Sequence, residues 1–182
     1  MELLEAIEKR RTIRVFKKKA SEELLKKIIL AGTKAPSGGN SQSWEFIVID
    51  DQKIIDHVAE QKYQLNLKMP PRPGEGPDKV REKALAQKKS FENASVVAVC
   101  HQKGGVANAW LCVENMSLAA LAYGLGSGIV VFHGEQEKEV KKILAIPEDH
   151  DLACVLKIGE PGETVSPPPK RPEFSWLHKN RF

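Results

Sequence analysis

At 182 residues the chain has the usual size of one compact domain, and 41% hydrophobic with 29% charged residues fits neither a disordered nor a membrane-embedded protein. The net charge of +4 is not concentrated on one helix face or run, which argues against a nucleic-acid partner and leaves its cations available to a small phosphate. No apolar run approaches a membrane span.

Met1-Glu2-Leu3-Leu4-Glu5-Ala6-Ile7 alternates acids with apolar residues and lacks the basic start of a secretory signal, so a cytoplasmic location is expected. Residues 2–10 place Leu3, Leu4, Ala6 and Ile7 on one side of a helix that breaks near Thr12. Ser21 caps a second helix whose apolar face, Leu24, Leu25, Ile28, Ile29 and Ala31, runs to Gly32. A Pro/Ser/Gly/Asn loop over 35–42 precedes a strand, Trp44–Ile49, and Asp50-Asp51 turns the chain into a helix over 52–60.

The stretch 62–79 holds Met69-Pro70-Pro71-Arg72-Pro73-Gly74-Glu75-Gly76-Pro77 and is expected as an exposed loop, either a lid or a disordered insertion. Helix is expected over 80–92, a buried strand over Ala94–Cys100, and a helix apolar nearly all round over Asn108–Tyr123, covered by the domain core or by a dimer interface. Gly124-Leu125-Gly126-Ser127-Gly128 stops that helix before a strand over Ile129–Phe132; a helix over Glu135–Leu144 and a strand over Ala153–Ile158 follow. The Pro- and Lys/Arg-rich arm 161–182 cannot form a core and is expected to wrap a surface. With no repeat, the whole of 1–182 reads as a single domain.

Three segments carry possible chemistry. Arg10-Arg11-Thr12-Ile13-Arg14 crowds three guanidiniums and a hydroxyl at a helix end, where they suit a phosphate or simply complement the helix dipole. In Ala35–Trp44, glycines permit close approach to a flat ligand while Ser37, Asn40 and Gln42 offer polar contacts; a plain turn uses the same residues. Gly124–Gly128 follows a helix and precedes a strand, the reverse of the dinucleotide-binding order, which argues against a Rossmann site. Cys100, Cys112 and Cys154 are odd in number and widely spaced, so they read as free thiols, and no metal site is expected.

In chain order, Glu8–Phe16, Ala35–Trp44, Glu114–Ala120, Gly124–Ser127 and a tail with Pro169-Lys170-Arg171-Pro172 and His178–Phe182 resemble the nitroreductase family over nearly the whole chain. The resemblance implies an α+β sandwich, a mixed and mostly antiparallel sheet flanked by helices, in an intertwined homodimer with FMN at the interface. It implies that Arg10, Arg11 and Thr12 hold the phosphate and ribityl chain, that Arg14 faces the flavin's N1 and O2 edge, and that Lys170 and Arg171 close on the phosphate. Pro36, Ser37, Gly38, Asn40 and Gln42 would come from the partner, the backbone at His133 and Gly134 would face N5 and O4, and Gln87 would read the pyrimidine edge. Thr12 stands where serine is usual, and Lys170 and Arg171 are adjacent where one residue usually separates them. The implied activity is ping-pong transfer from NADH or NADPH through FMN to a small acceptor such as a nitroaromatic or quinone. The alternatives are a flavin destructase, dehalogenase or enoyl-type reductase, or a flavin-binding module without turnover.

Overall fold

The computed structural model describes residues 1–181, so Phe182, the expected aromatic anchor of the tail, lies outside the described residues. The order of elements is α1 (Leu3–Lys9), β1 (Phe16–Lys19), α2 (Glu22–Gly32), β2 (Trp44–Ile49), α3 (Gln52–Leu67), α4 (Pro77–Lys89), β3 (Ser95–Gln102), α5 (Val106–Ala122), β4 (Gly126–Val130), α6 (Gly134–Ile143) and β5 (His150–Pro161). Five strands make one sheet in which every strand pair is antiparallel. β5 is its spine: β3 pairs along 150–158, β1 takes over at 159–161, and β4 lies on the opposite edge along 155–159. Among the described residues the sheet is mixed only through an isolated parallel bridge between Thr12 and Ser127.

Period-2 alternation in the central strands divides the interior into two layers. Val97 and Val99 of β3 with Leu156 and Ile158 of β5 face α2 and α5, meeting Leu25, Ile28, Val113 and Met116. Val96 and Ala98 with Val155 face α3 and α6, meeting Ile55, Val58, Ala59 and Val140. Each fully buried aliphatic side chain contributes on the order of 1.5–3 kcal/mol, so these two layers hold the helices against the sheet.

Several expectations need correction. The loop expected over 62–79 is confined to 68–76, because α3 continues to Leu67, where Leu65 joins the core already served by Ile55 and Val58, and α4 opens with Pro77 in its first turn. A proline there lacks only an N–H that no helix would use. β1 was hidden by its sequence, Phe-Lys-Lys-Lys: only Phe16 is buried, and the lysines lie exposed along an edge strand. β4 begins at Gly126 rather than Ile129, so two of the glycines belong to the strand and not to the helix stop. β5 starts before Ala153, at His150. Finally, the apolar side of α1 does not enter this chain's core: Ala6 is buried, whereas Leu3, Leu4 and Ile7 are 65%, 78% and 52% exposed.

Candidate functional site

The segment leaving α1 is clamped from two sides. Thr12 bridges Ser127 of β4 and Ile13 N–H donates to Ser127 O at 2.8 Å, while Glu163 Oε1 accepts from the N–H of Arg14 at 2.5 Å and of Val15 at 3.1 Å. Ile13 turns into a small cluster with Phe16 and Ala94, and extended geometry then sends Thr12 and Arg14 to the other side. Gly128 explains why β4 carries glycine: a Cβ there would strike the carbonyl oxygen of Ile13.

Around this clamped segment lies a cleft of about 330 Å³, lined by Arg10, Arg11, Thr12, Arg14 and Lys170 together with Glu8 and Ser166. Arg11 also serves the helix, since its Nη1 donates to the carbonyls of Glu8 at 2.6 Å and Arg10 at 2.8 Å. The cluster thus both closes α1 and lines a cationic recess. Arg10 lies 3.7 Å from Glu114, and Lys170 3.8 Å from Glu8; pairs this exposed are weak and yield readily to a multiply charged anion.

Arg14 also lines a second cleft of about 450 Å³, shared with Asn66, Met69, Arg72, Glu75, Lys83 and Gln87. The structure thus brings Gln87 and Arg14 to one recess. The 68–76 loop forms its rim, tied at one end by Lys68 to Glu135 at 3.0 Å and at the other by an ion pair between Lys83 and Glu75. Just beside it, Lys62 Nζ donates to Val131 O at 3.3 Å, and α6 starts at Gly134 with φ +62° and open space where a Cβ would stand. The first amides of α6 follow His133, whose side chain makes no cap bond.

Other expected residues lie elsewhere. Arg171 is exposed and lines neither cleft, and neither do Pro36, Ser37, Gly38, Asn40 and Gln42. Their loop folds on itself, Ser37 Oγ accepting from Gln42 N–H at 3.1 Å with Asn40 and Gln42 at φ 55° and 46°, and Asn108 of α5 holds its end through Ser41 and Ser43. The three cysteines are buried and free, and burial pushes Cys100 and Cys112 up to about 11 and Cys154 up to about 12, so all are inert thiols at neutral pH.

The model described as Nitroreductase family matches residues 7–160, from α1 into the end of β5. The chain belongs to the nitroreductase family. It is 29% identical over 183 residues to the iodotyrosine deiodinase of Thermotoga neapolitana, covering 93% of this chain and 92% of that protein. An NADPH-dependent oxidoreductase of Staphylococcus haemolyticus is 29% identical over 197 residues, with 97% and 72% covered. Among solved structures, an iodotyrosine deiodinase bound to FMN and 3-iodo-L-tyrosine superposes with a TM-score of 0.75 at 26% identity, with 100% of both chains covered.

Within this nitroreductase-family chain, sequence reasoning missed Glu163, Lys62 and Lys157. Glu163 gave no signal, being one carboxylate in a polar tail. Lys157 did give one: it is the only charge in Ala153-Cys154-Val155-Leu156-Lys157-Ile158, and strand alternation puts it on the face of Val155. Its side chain is 1% exposed. Burial depresses the Lys157 ammonium to about 7, with the Arg14 and Lys62 charges adding to the effect and Glu163 opposing it; Lys62 is lowered by burial alone.

Proposed function

We propose that this chain is an FMN-dependent oxidoreductase that, as a homodimer, takes reducing equivalents from NADH or NADPH and delivers them to a small acceptor such as a nitroaromatic or quinone. The observation that carries the reading is the arrangement of Arg10, Arg11, Thr12, Arg14 and Lys170 around one cleft, with Arg14 opening onto a second. Such a donor set suits a phosphomonoester, since guanidinium forks and an ammonium supply charge-assisted hydrogen bonds to its oxygens and threonine adds a neutral one. FMN, when bound, supplies two-electron chemistry, which fits a site without an activated thiol.

The protein's own part is positioning and charge. Arg10, Arg11, Thr12 and Lys170 hold the phosphate end, Arg171 approaches from the arm, and Arg14 faces the edge of the ring where negative charge gathers. Gln87 reads the same edge from α4, and the amides following His133 and Gly134 supply neutral donors. The Pro36–Gln42 loop lies away from its own chain's clefts, so it serves the partner's site. Leu3, Leu4 and Ile7 of α1, with Trp110 and Leu111 of α5, are exposed apolar residues that a second copy would cover.

The test is an absorbance spectrum after adding FMN and desalting, followed by anaerobic titration with NADH and NADPH. Retained flavin that bleaches with either donor is expected. Retained flavin that stays oxidised points to a binding module, and no retained flavin refutes the reading. Similarity to two iodotyrosine deiodinases favours one second reading, reductive dehalogenation of a halogenated tyrosine. Iodide release from 3-iodo-L-tyrosine by the chemically reduced protein would select it.

A further inference from the structure

Lys157 is the largest of the fully buried side chains among the described residues, and nothing in the reading above uses it. It projects from β5 beneath the cationic segment: its Cε lies 3.4 Å from where a Cβ on Gly128 would stand, and that same position abuts the carbonyl of Ile13, the residue before Arg14. Its Nζ donates to Ser90 Oγ at the end of α4 and stands 5.1 Å from the centroid of the Phe91 ring. The charged groups that face it are Arg14 from the clamped segment, Lys62 from α3 and Glu163 beyond β5, two cations against one anion. The turn after α4 offers the Ser90 hydroxyl and the Phe91 ring, and β4 places Gly128 against it.

A side chain needed merely to fill this space would be methionine or leucine, which cost nothing to desolvate. An amine held close to neutrality beneath Arg14 does something neither can. It changes its charge when the charge above it changes, because a new negative charge in the Arg14 cleft favours the ammonium form.

Resting on the FMN reading, we propose that Lys157 is a positioning residue that takes a proton from solvent when negative charge arrives on the bound flavin beside Arg14. The balance is as follows. The nicotinamide donor is oxidised by two electrons and gives them, with one proton, to the flavin, which thereby gains one net negative charge. One further proton passes from water to the lone pair of Lys157 Nζ, and no bond of the lysine breaks. The negative charge is thus matched inside the protein, which makes the two-electron reduction easier at neutral pH and ties it to pH.

The experiment measures the midpoint potential of FMN-loaded wild type, Lys157→Met and Ser90→Ala at several values from pH 6 to 9, with equilibrium dialysis confirming flavin binding. In the wild type the potential falls above neutrality with two protons per electron pair; in Lys157→Met it falls with one, a slope shallower by about 30 mV per pH unit. Ser90→Ala keeps the lysine but removes the acceptor that favours its charged form, so the two-proton range moves to lower pH. A Lys157→Met slope equal to the wild type overturns the proposal. Should that variant not fold, an unmoved range in Ser90→Ala overturns it instead. Failure of the wild type to retain FMN overturns the FMN reading and this proposal together, whereas retained FMN with matching slopes overturns this proposal alone.

Discussion

Replacing Lys157 by methionine should stabilise the flavin-free protein, and by an amount that depends on pH in a definite direction. The buried ammonium sits near 7 against an ordinary 10.5, so between those values the unfolded chain binds more protons than the folded one and wild-type stability rises with pH. Below about 7 both states are protonated and the penalty is complete. Methionine does not titrate, so its advantage is largest at and below neutrality and shrinks as pH climbs. The slope approaches about 1.4 kcal/mol per pH unit only above the folded-state value, so the difference between pH 7 and pH 9 amounts to about 2 kcal/mol. The substitution strands no hydroxyl, because Ser90 Oγ still donates to Gln87 O at 2.6 Å. Urea unfolding of both proteins at pH 6, 7.5 and 9, at fixed ionic strength, reads the effect as a change in midpoint at constant slope. Parallel pH profiles for the two would refute the reasoning, for they would mean that the amine reaches water in the folded state.

Arg14→Met should weaken FMN binding about 10- to 100-fold, the loss of about 1.5–3 kcal/mol expected for a hydrogen bond to a charged group, measured by fluorescence quenching of the free flavin. Glu163→Ala should cost about 1–2 kcal/mol in urea unfolding, since the N–H groups of both Arg14 and Val15 lose their acceptor. Gly128→Ala should cost about 1–3 kcal/mol and loosen the Thr12 bridge, read as faster amide exchange at Ile13. Under the homodimer reading, Leu4→Lys with Trp110→Glu should shift the mass read by sedimentation equilibrium toward monomer and reduce flavin retention at the same time.

The core helices and the apolar strands were legible because period and burial agree: Leu25 and Ile28 in α2, or Val96 to Val99 in β3, announce both the element and its inward face. β1 was not, because an edge strand can be three lysines long on its exposed side and carry no periodic signal. The end of α3 was missed because Lys62, Gln64 and Lys68 surround the single buried Leu65. For the site, Arg10, Arg11, Thr12 and Arg14 were legible as neighbours in sequence, and the family resemblance added Lys170 and Gln87 from far along the chain. Glu163 and Lys157 depend on what lies across from them in space, which spacing does not encode. Apolar residues on α1 misled in the opposite way: amphipathicity predicts that a face will be covered, but not that this chain's own core covers it.

The rim over 68–76 is half the length of the loop expected from sequence. Two turns of helix that could have been slack chain belong instead to α3, and closing so brief a connection forgoes little freedom. Two ionic staples hold the rim down, Lys68 with Glu135 facing solvent and Lys83 with Glu75 half-buried in the cleft wall, and dissolved salt loosens the first more than the second. Under the oxidoreductase reading, bulky acceptors should enter the second cleft more readily as salt rises, while small ones remain indifferent.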